Sequence, residues 1–284
     1  MTAIATADRL VVTHRRSRRE NAAALATLAR RRLALSASTP REIFVPLLTP
    51  LLFALVIAPA LATIVHISAG YDYRTYVAIG TAGLLIPLAC MFAGIGVIVD
   101  RDSGARRELL TAPVPRTLIV FGNLAVALLV RGLQLAALVG ATALRGAHFR
   151  TSATGAIWFV AAATLFAVTM YSIAEIMANR IDAQAEYIGT TPAVAILPWF
   201  LAGSLFPISA LPVGLTAVAK ALPLTHVLAL MRYGLLDRRG TGLHEIWGMA
   251  DNTRMAMLSL AVVAAYSAGF VTLSVRVFSR MAMR

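Results

Sequence analysis

Long apolar segments separated by short polar ones dominate the pattern of this chain. A membrane-spanning helix needs about 20 apolar residues to cross roughly 30 Å of hydrocarbon. The charge-poor segments that approach or exceed this length lie near residues 45–67, 77–99, 117–143, 156–178, 188–204 and 255–275. The pattern therefore predicts an all-α membrane protein with six transmembrane helices.

An interrupted apolar stretch follows the fifth predicted span and continues to Asp237. Pro207 and Pro212 interrupt it first, and Pro223 interrupts it again. Proline removes a backbone donor and clashes with the preceding helical turn. In lipid, the freed backbone groups are tolerated only where protein or a water-filled cavity covers them. The stretch predicts a helix broken at membrane depth by Pro207 and Pro212, with a re-entrant helical hairpin near 205–221 between spans five and six.

The first 42 residues form a predicted segment of their own, a basic tail followed by an amphipathic helix near 24–37. Leucines alternate there with Arg30, Arg31 and Arg32. This pattern is typical of a helix that lies on the inner membrane surface, with its arginines near anionic lipid headgroups. Residues 43–284 are predicted to form a single six-span transmembrane domain.

The loop at 100–116 lies between spans two and three. A short helix is predicted near 103–112, because Ser103 can cap it and two prolines follow it. Leucines form an apolar edge on this helix beside charged side chains, which suits docking of a cytoplasmic partner. The alternative is a charged connector without a partner. The residues predicted to make the contact are Arg106, Arg107, Glu108, Leu109 and Leu110.

Composition and charge agree with a membrane protein and predict its orientation. Hydrophobic residues make up 59% of the chain and charged residues 14%, far from the values of a soluble domain. The net charge of +13 does not indicate nucleic-acid binding, because the arginines cluster beside apolar spans. The predicted cytoplasmic segments carry about twice as many basic residues as the predicted outer ones (68–76, 144–155 and 220–254). Both termini are therefore predicted to face the cytoplasm, in a multi-pass protein of the inner or plasma membrane.

Sequence motifs for catalysis and for nucleotide binding are missing. The chain has no G-x-x-x-x-G-K-[ST] motif and no G-x-S-x-G motif. Its histidines lack ligand spacing, and Cys90 is its one cysteine. We therefore predict no catalytic centre, no cofactor and no metal site in this chain. Energy for any transport has to come from a partner or from an ion gradient.

Polar side chains inside predicted spans are candidates for a transport path. Arg131 lies near the middle of span three with Gln134 one turn further on, and Glu175 lies near the inner end of span four. An arginine at mid-bilayer costs roughly 2.5–3.5 kcal/mol on insertion scales, so it should face the bundle interior or water. The alternatives are structural: Arg131 pairs with backbone carbonyls or another helix, and Glu175 reaches the interface.

Three segments of the chain resemble the permeases of ABC-2 type transporters. ATLARRRLALSASTPREIFVPLLTPLLFALVI resembles the connecting helix and first span of that family. RELLTAPVPRTLIVFGNLAVALLVRGLQ, at 107–134, resembles the passage that follows its coupling helix. LPWFLAGSLFPISALPVGLTAVAKALPLTHVLALMR, at 197–232, resembles its signature of a span, a re-entrant hairpin and a P-L-T-H run.

The resemblance implies an ATP-driven exporter built from two permeases, identical or related, each bound to a separate cytoplasmic ABC ATPase that holds ATP and Mg²⁺. It implies that the helix near 103–112 is the coupling helix and that the helix near 24–37 is the connecting helix. The path would run between the two permeases, lined by spans one, two and five. The re-entrant hairpins would close it on the outer side. The predicted gate residues are Phe206, Pro207, Leu211 and Pro212.

One segment of the sequence and the amino-acid composition both bear on the substrate class. The segment FLAGSLFPISALP is similar to the drug-resistance (daunorubicin-type) branch, and aromatic residues make up only 7% of the chain. Both favour an amphipathic drug-like or lipid substrate, with a polysaccharide or lipid-linked glycan as the alternative. An ion-coupled secondary transporter would need paired acids deep in the membrane and an internal repeat, and neither is seen. A non-transporting membrane anchor would have no use for a twice-broken helix.

Overall fold

The structure is a computed structural model, and it describes residues 18–38, 40–62, 72–104 and 116–281. These residues form helices and turns without any strand, which confirms the all-α prediction. The helices are α1 (Arg18–Ser38), α2 (Arg41–Leu52), α3 (Ala58–Leu61), α4 (Tyr73–Asp102), α5 (Arg116–Leu144), α6 (Ala153–Arg180), α7 (Gln184–Leu201), α8 (Val213–Ala221), α9 (Pro223–Leu235), α10 (Thr241–Trp247) and α11 (Asn252–Met281). A π-helical turn at Phe53–Ile57 joins α2 to α3, and a 3-10 turn at Ile208–Ala210 precedes α8.

Among the described residues, five helical segments are long and apolar enough to cross a membrane. They are Ile43–Leu61, Tyr73–Asp102, Leu118–Leu144, Ala153–Arg180 and Asn252–Arg280. These segments overlap predicted spans one to four and span six. Predicted span five falls in α7, whose first turns carry Gln184 and Glu186, and α7 does not reach the same apolarity. The prediction of six spans is therefore not confirmed.

The helices α8 and α9 form a pair that is bent by 80° at Leu222, and they are apolar enough for a span only when taken together. The bend lies beside the middle of α11, because the Tyr266 hydroxyl donates to the Ala221 carbonyl at 3.1 Å. The segment before α8 lies near the start of α11 instead, because the Ile208 N–H donates to Glu245 of α10. The break at depth is thus at Leu222.

This position corrects the prediction that Pro207 and Pro212 break a helix at membrane depth. Pro207 precedes the 3-10 turn, and Pro212 is the residue immediately before α8. Both lie in the connection at the end of the bundle. Prolines suit such a connection because their backbone nitrogen has no hydrogen to leave unbonded.

The helix α4 lies at the centre of the bundle. It packs against α2, α5, α6, α7 and α9, and most of its side chains are buried. The helix α11 differs, since large apolar side chains such as Met257, Leu258 and Leu273 are exposed along it. A buried central helix with apolar outer helices is the arrangement expected when the bundle is surrounded by lipid.

The helix α9 is a second buried element, although its residues lie in the predicted outer loop at 220–254. Nearly every side chain of α9 is buried, and the helix packs against α4, α6 and α11. The charges at Lys220 and Arg232 made the segment look like a connection. Arg232 is buried, so its charge does not indicate a solvent-exposed position.

A close crossing of α6 and α9 depends on two glycines. A Cβ atom added at Gly155 would collide with the carbonyl oxygen of Gly234, and a Cβ added at Gly234 would collide with the carbonyl oxygen of Gly155. Helices in lipid associate through close packing of this kind, because the lipid chains are as apolar as the side chains they replace. The two backbones therefore touch at this point.

We expect Gly234→Ala to lower the free energy of unfolding by about 1–3 kcal/mol, because the added methyl group overpacks the crossing. Thermal unfolding of the detergent-solubilised chain, followed by circular dichroism, measures this change. The control is Gly140→Ala on α5, where an added Cβ has nothing within 4 Å. It should be neutral or stabilising by up to about 1 kcal/mol. Equal stability of the two variants would contradict the close crossing.

Candidate functional site

The five residues predicted to dock a cytoplasmic partner lie within 105–115, outside the described residues. They are Arg106, Arg107, Glu108, Leu109 and Leu110. Their role stays a prediction. The residues on either side are described, since α4 ends at Asp102 and α5 begins at Arg116. The contacts made by the end of α4 therefore show what holds the base of this loop.

Arg32 of α1 binds the end of α4. Its guanidinium lies 3.5 Å from a carboxylate oxygen of Asp100 and donates to the Ala93 carbonyl at 3.3 Å. A Cβ atom at Gly96 would collide with this guanidinium, so the glycine makes room for it. The side chain of Arg32 is buried, and a buried charge of this kind requires a partner such as Asp100.

This contact differs from the predicted position of Arg32 near lipid headgroups. Arg32 is enclosed against α4, Arg31 lies 4.0 Å from Asp100, and Arg30 is exposed. The helix α1 covers the predicted range 24–37 and packs against α5. An amphipathic surface helix is therefore not confirmed, because one arginine of the predicted polar face is buried.

Arg101, the next residue along α4, binds the end of α6. Its guanidinium donates to the carbonyl oxygens of Ala178, Ile181 and Asp182, at 3.2, 3.1 and 2.7 Å. The last carbonyls of a helix have no partner within the helix and carry partial negative charge, so a cation stabilises them. The end of α4 is thus bound to α1 through Asp100 and to the α6–α7 turn through Arg101.

Two of the predicted path residues lie together. Arg131 donates to the Gln134 side chain at 2.7 Å, and Gln134 donates to the Ile43 carbonyl at 2.6 Å. Both side chains are buried. These bonds join α5 to α2 within one chain, which agrees with the structural alternative for Arg131. A role in a transport path stays a prediction.

The third predicted path residue, Glu175, is held by other partners. Its carboxylate accepts a hydrogen bond from Ser274 of α11 at 2.8 Å, and its backbone carbonyl accepts one from the Asn179 side chain at 2.7 Å. The Glu175 side chain is buried between helices. Glu175 therefore joins α6 to α11, and its role in a transport path stays a prediction.

The predicted gate residues lie in the connection between α7 and α8. Phe206 and Pro212 are exposed, and Pro207 and Leu211 are partly buried. Glu245 of α10 anchors this connection, because its carboxylate accepts hydrogen bonds from the Ile208 N–H at 3.0 Å and the Ser209 hydroxyl at 3.3 Å. The segment is thus exposed at its tip and held at its centre.

Arg232 anchors the start of the same connection, and the sequence analysis did not single it out. It donates to the Ser204 carbonyl at 3.1 Å, and its guanidinium carbon lies 3.5 Å from the centre of the Tyr76 ring. A cation over an aromatic face is stabilised by the ring quadrupole, by about 2 kcal/mol or more when it is desolvated. The Tyr76 hydroxyl donates in turn to the Gly203 carbonyl at 2.9 Å.

Trp199, near the end of α7, completes this anchor. Its ring N–H donates to the Gly80 carbonyl of α4 at 2.7 Å, and the side chain is fully buried. A Cβ atom at Gly80 would collide with the Ser204 carbonyl oxygen, so the turn lies directly on the α4 backbone. Polar side chains inside apolar stretches of the sequence, above all Arg232, could have indicated these anchoring residues.

The pattern that defines the ABC-2 type transporter family matches residues 23–236. The match begins within α1 and ends just after α9. It therefore includes Arg32, α4, Arg131 and the bent pair α8–α9, and it agrees with the resemblance found in the sequence. A comparison with curated proteins finds no match.

We expect Arg32→Ala to lower the free energy of unfolding by about 1–3 kcal/mol, because it removes a buried hydrogen bond and leaves Asp100 without this partner. Hydrogen exchange should speed up in α1 and at the end of α4, which locates the effect. Arg30→Ala is the matched control, since Arg30 is exposed on the same helix. Unchanged exchange in Arg32→Ala would count against the anchoring role.

We expect the anchor at Glu245 to depend on pH. Burial raises the pKa of the Glu245 carboxyl, and the hydrogen bonds from Ile208 and Ser209 oppose this shift. A raised pKa stabilises the fold below the ordinary glutamate pKa, and this contribution is lost as the pH rises through the folded-state value. The stability of the natural chain relative to Glu245→Gln should therefore fall across that window and be constant above it. A difference independent of pH would be inconsistent with the burial of this carboxyl.

Proposed function

Because this chain belongs to the ABC-2 type transporter family, a family of permeases and not of catalytic domains, we propose that it is the transmembrane subunit of an ATP-driven exporter. It works with a separate cytoplasmic ABC ATPase, which holds ATP and Mg²⁺. It pairs with a second permease, either another copy or a related subunit. It moves an amphipathic drug-like or lipid substrate out of the cytoplasm.

The observation that carries this proposal is the position of α4 between the two parts that have to move. One end of α4 leads into the loop at 105–115, where the ATPase would dock. The other end holds the connection of the predicted gate through Gly80 and Tyr76. The helix has 30 residues and is about 45 Å long, enough to carry a displacement across the bilayer.

The contacts at the inner end of α4 support a common movement of several helices. Asp100 is paired with Arg32 of α1, and Arg101 binds carbonyl oxygens at the end of α6. A force on the loop would therefore act on α1, α4 and α6 together. ATP binding shifts a two-state membrane dimer if the ATPase contacts this end differently in its two states.

The bent pair α8–α9 supports a gate on the outer side. The segment before α8 bonds to Glu245 of α10, the turn after α9 bonds to Asn252 at the start of α11, and the bend at Leu222 lies beside the middle of α11. These contacts support a segment that enters the bundle and returns to the same end. We propose that the exposed tip, with Phe206, Pro207, Leu211 and Pro212, closes the path between two permeases.

Orientation and location follow from the same proposal. Both termini face the cytoplasm of the inner or plasma membrane, and the exposed apolar side chains of α11 contact membrane lipid. The small aromatic content supports an amphipathic or lipid substrate over a glycan. Transport of a lipid-linked glycan by the reconstituted complex would replace this part of the proposal and leave the rest in place.

The test is co-purification of the chain with its ATPase, followed by ATP-dependent transport in sealed vesicles. We expect Glu108→Arg to reduce ATPase binding and transport by about tenfold or more, because it reverses a charge in the docking helix. Arg150→Glu is the control, since this exposed residue lies in the loop at the other end of α5. It should transport normally.

Insertion and folding of each variant are checked by protease protection and gel filtration. A chain that is purified without any ATPase, or a Glu108→Arg variant that transports normally, would refute the docking role.

A further inference from the structure

An apolar cavity of about 400 Å³ lies between α4, α6, α7, the bent pair α8–α9 and α11. Among the described residues that line it, the Tyr266 hydroxyl is the only side-chain oxygen or nitrogen. Its volume is within the range of small-molecule binding sites in proteins, about 300–1,000 Å³. The residues that line it belong to helices of a single chain and to the bend at Leu222.

Prolines from three helices border this cavity. Pro87 lies within α4, Pro198 lies within α7, and Pro223 begins α9 after the bend. A proline inside a helix leaves one carbonyl of the preceding turn without its helical N–H partner. The bend between α8 and α9 also turns α8 away from α9 at the wall of this cavity.

Two aromatic rings of α11 lie on the wall of the cavity. Tyr266 and Phe270 are stacked, with ring centres 6.5 Å apart and planes at 14°. Both rings also line a groove of about 430 Å³ on the outer face of α11. Tyr266 is partly exposed, at 37%, so the ring pair is reached from the groove.

The apolar walls of the cavity and the hydrocarbon beside it determine which ligands can enter. A polar ligand would find almost no hydrogen-bond partner on these walls, and burying it there would be unfavourable. The ring pair lies halfway along α11, where the neighbouring medium is the hydrocarbon of the bilayer. An empty cavity also loses dispersion contacts that a hydrocarbon chain would provide.

We propose that this cavity binds the acyl chain of a membrane lipid, which enters from the groove between the rings of Tyr266 and Phe270. The Tyr266 hydroxyl donates to the Ala221 carbonyl, immediately before the bend at Leu222. An acyl chain that displaces the Tyr266 ring breaks this bond. The occupancy of the cavity is therefore linked to the angle between α8 and α9.

A photoreactive lipid tests this site on the full-length chain. The chain is reconstituted in vesicles of phosphatidylethanolamine and phosphatidylglycerol that contain a small fraction of phosphatidylcholine with a diazirine midway along one acyl chain. After illumination, mass spectrometry maps the labelled residues. We expect labels on buried wall residues such as Met170 and Leu224, as well as on exposed residues such as Leu133.

Two valines of α8 provide a matched pair of variants. Val218 lines the cavity, whereas Val213, on the same helix, is 90% exposed and does not line it. We expect Val218→Trp to reduce labelling of Met170 and Leu224 by about tenfold, because the indole fills the space, while Val213→Trp leaves it unchanged. Labelling of Leu133 should be the same in both variants.

A third variant is used if gel filtration shows that Val218→Trp does not fold properly. Phe270→Ala widens the entrance and should increase labelling of the wall residues. The proposal is overturned if Met170 and Leu224 are never labelled, or if their labelling is equal in the natural chain, Val218→Trp and Phe270→Ala. The experiment uses no ATPase and measures no transport, so its outcome is independent of the proposed export function.

Discussion

The backbone of one buried helix, α4, is the surface on which the rest of the bundle assembles. Three of its carbonyl oxygens accept hydrogen bonds from side chains of other helices: Gly80 from Trp199, Met91 from Tyr187, and Ala93 from Arg32. In lipid no water competes for these bonds, and association depends on packing and on interhelical hydrogen bonds. Donors can reach the backbone only where α4 carries small residues. The fold therefore depends on small side chains at particular positions of this helix.

Because these side chains all bind the backbone of α4, this helix connects the two ends of the bundle. The ring of Trp199 and the guanidinium of Arg32 bind α4 near opposite ends, and α4 is rigid between them because almost all of its side chains are packed. The helix α9 packs against α4 beside Gly83, and the Arg32 side chain of α1 binds α4 beside Gly96. Pro87 of α4 forms part of the wall of the acyl-chain cavity.

The positions of five membrane helices could be predicted because apolar length is a local property of the sequence. The buried helix α9 could not, because Lys220 and Arg232 interrupt the apolar pattern, and only the structure shows that Arg232 donates to Ser204 and lies over the Tyr76 ring. The partners of Arg32 and Glu175 could not be predicted either, since each partner lies more than 60 positions along the chain from the residue it binds. The docking loop was proposed from resemblance and local pattern, and its role stays a prediction.

The order of synthesis gives the α4 contacts a further consequence. Arg32 is made before α4, but Tyr187, Trp199 and Arg232 are made after it, together with the helices that carry them. When α4 enters the membrane, the carbonyls of Gly80 and Met91 have not yet met the side chains that bind them. The nascent chain must therefore keep α4 in the bilayer without these two bonds until α7 has been inserted.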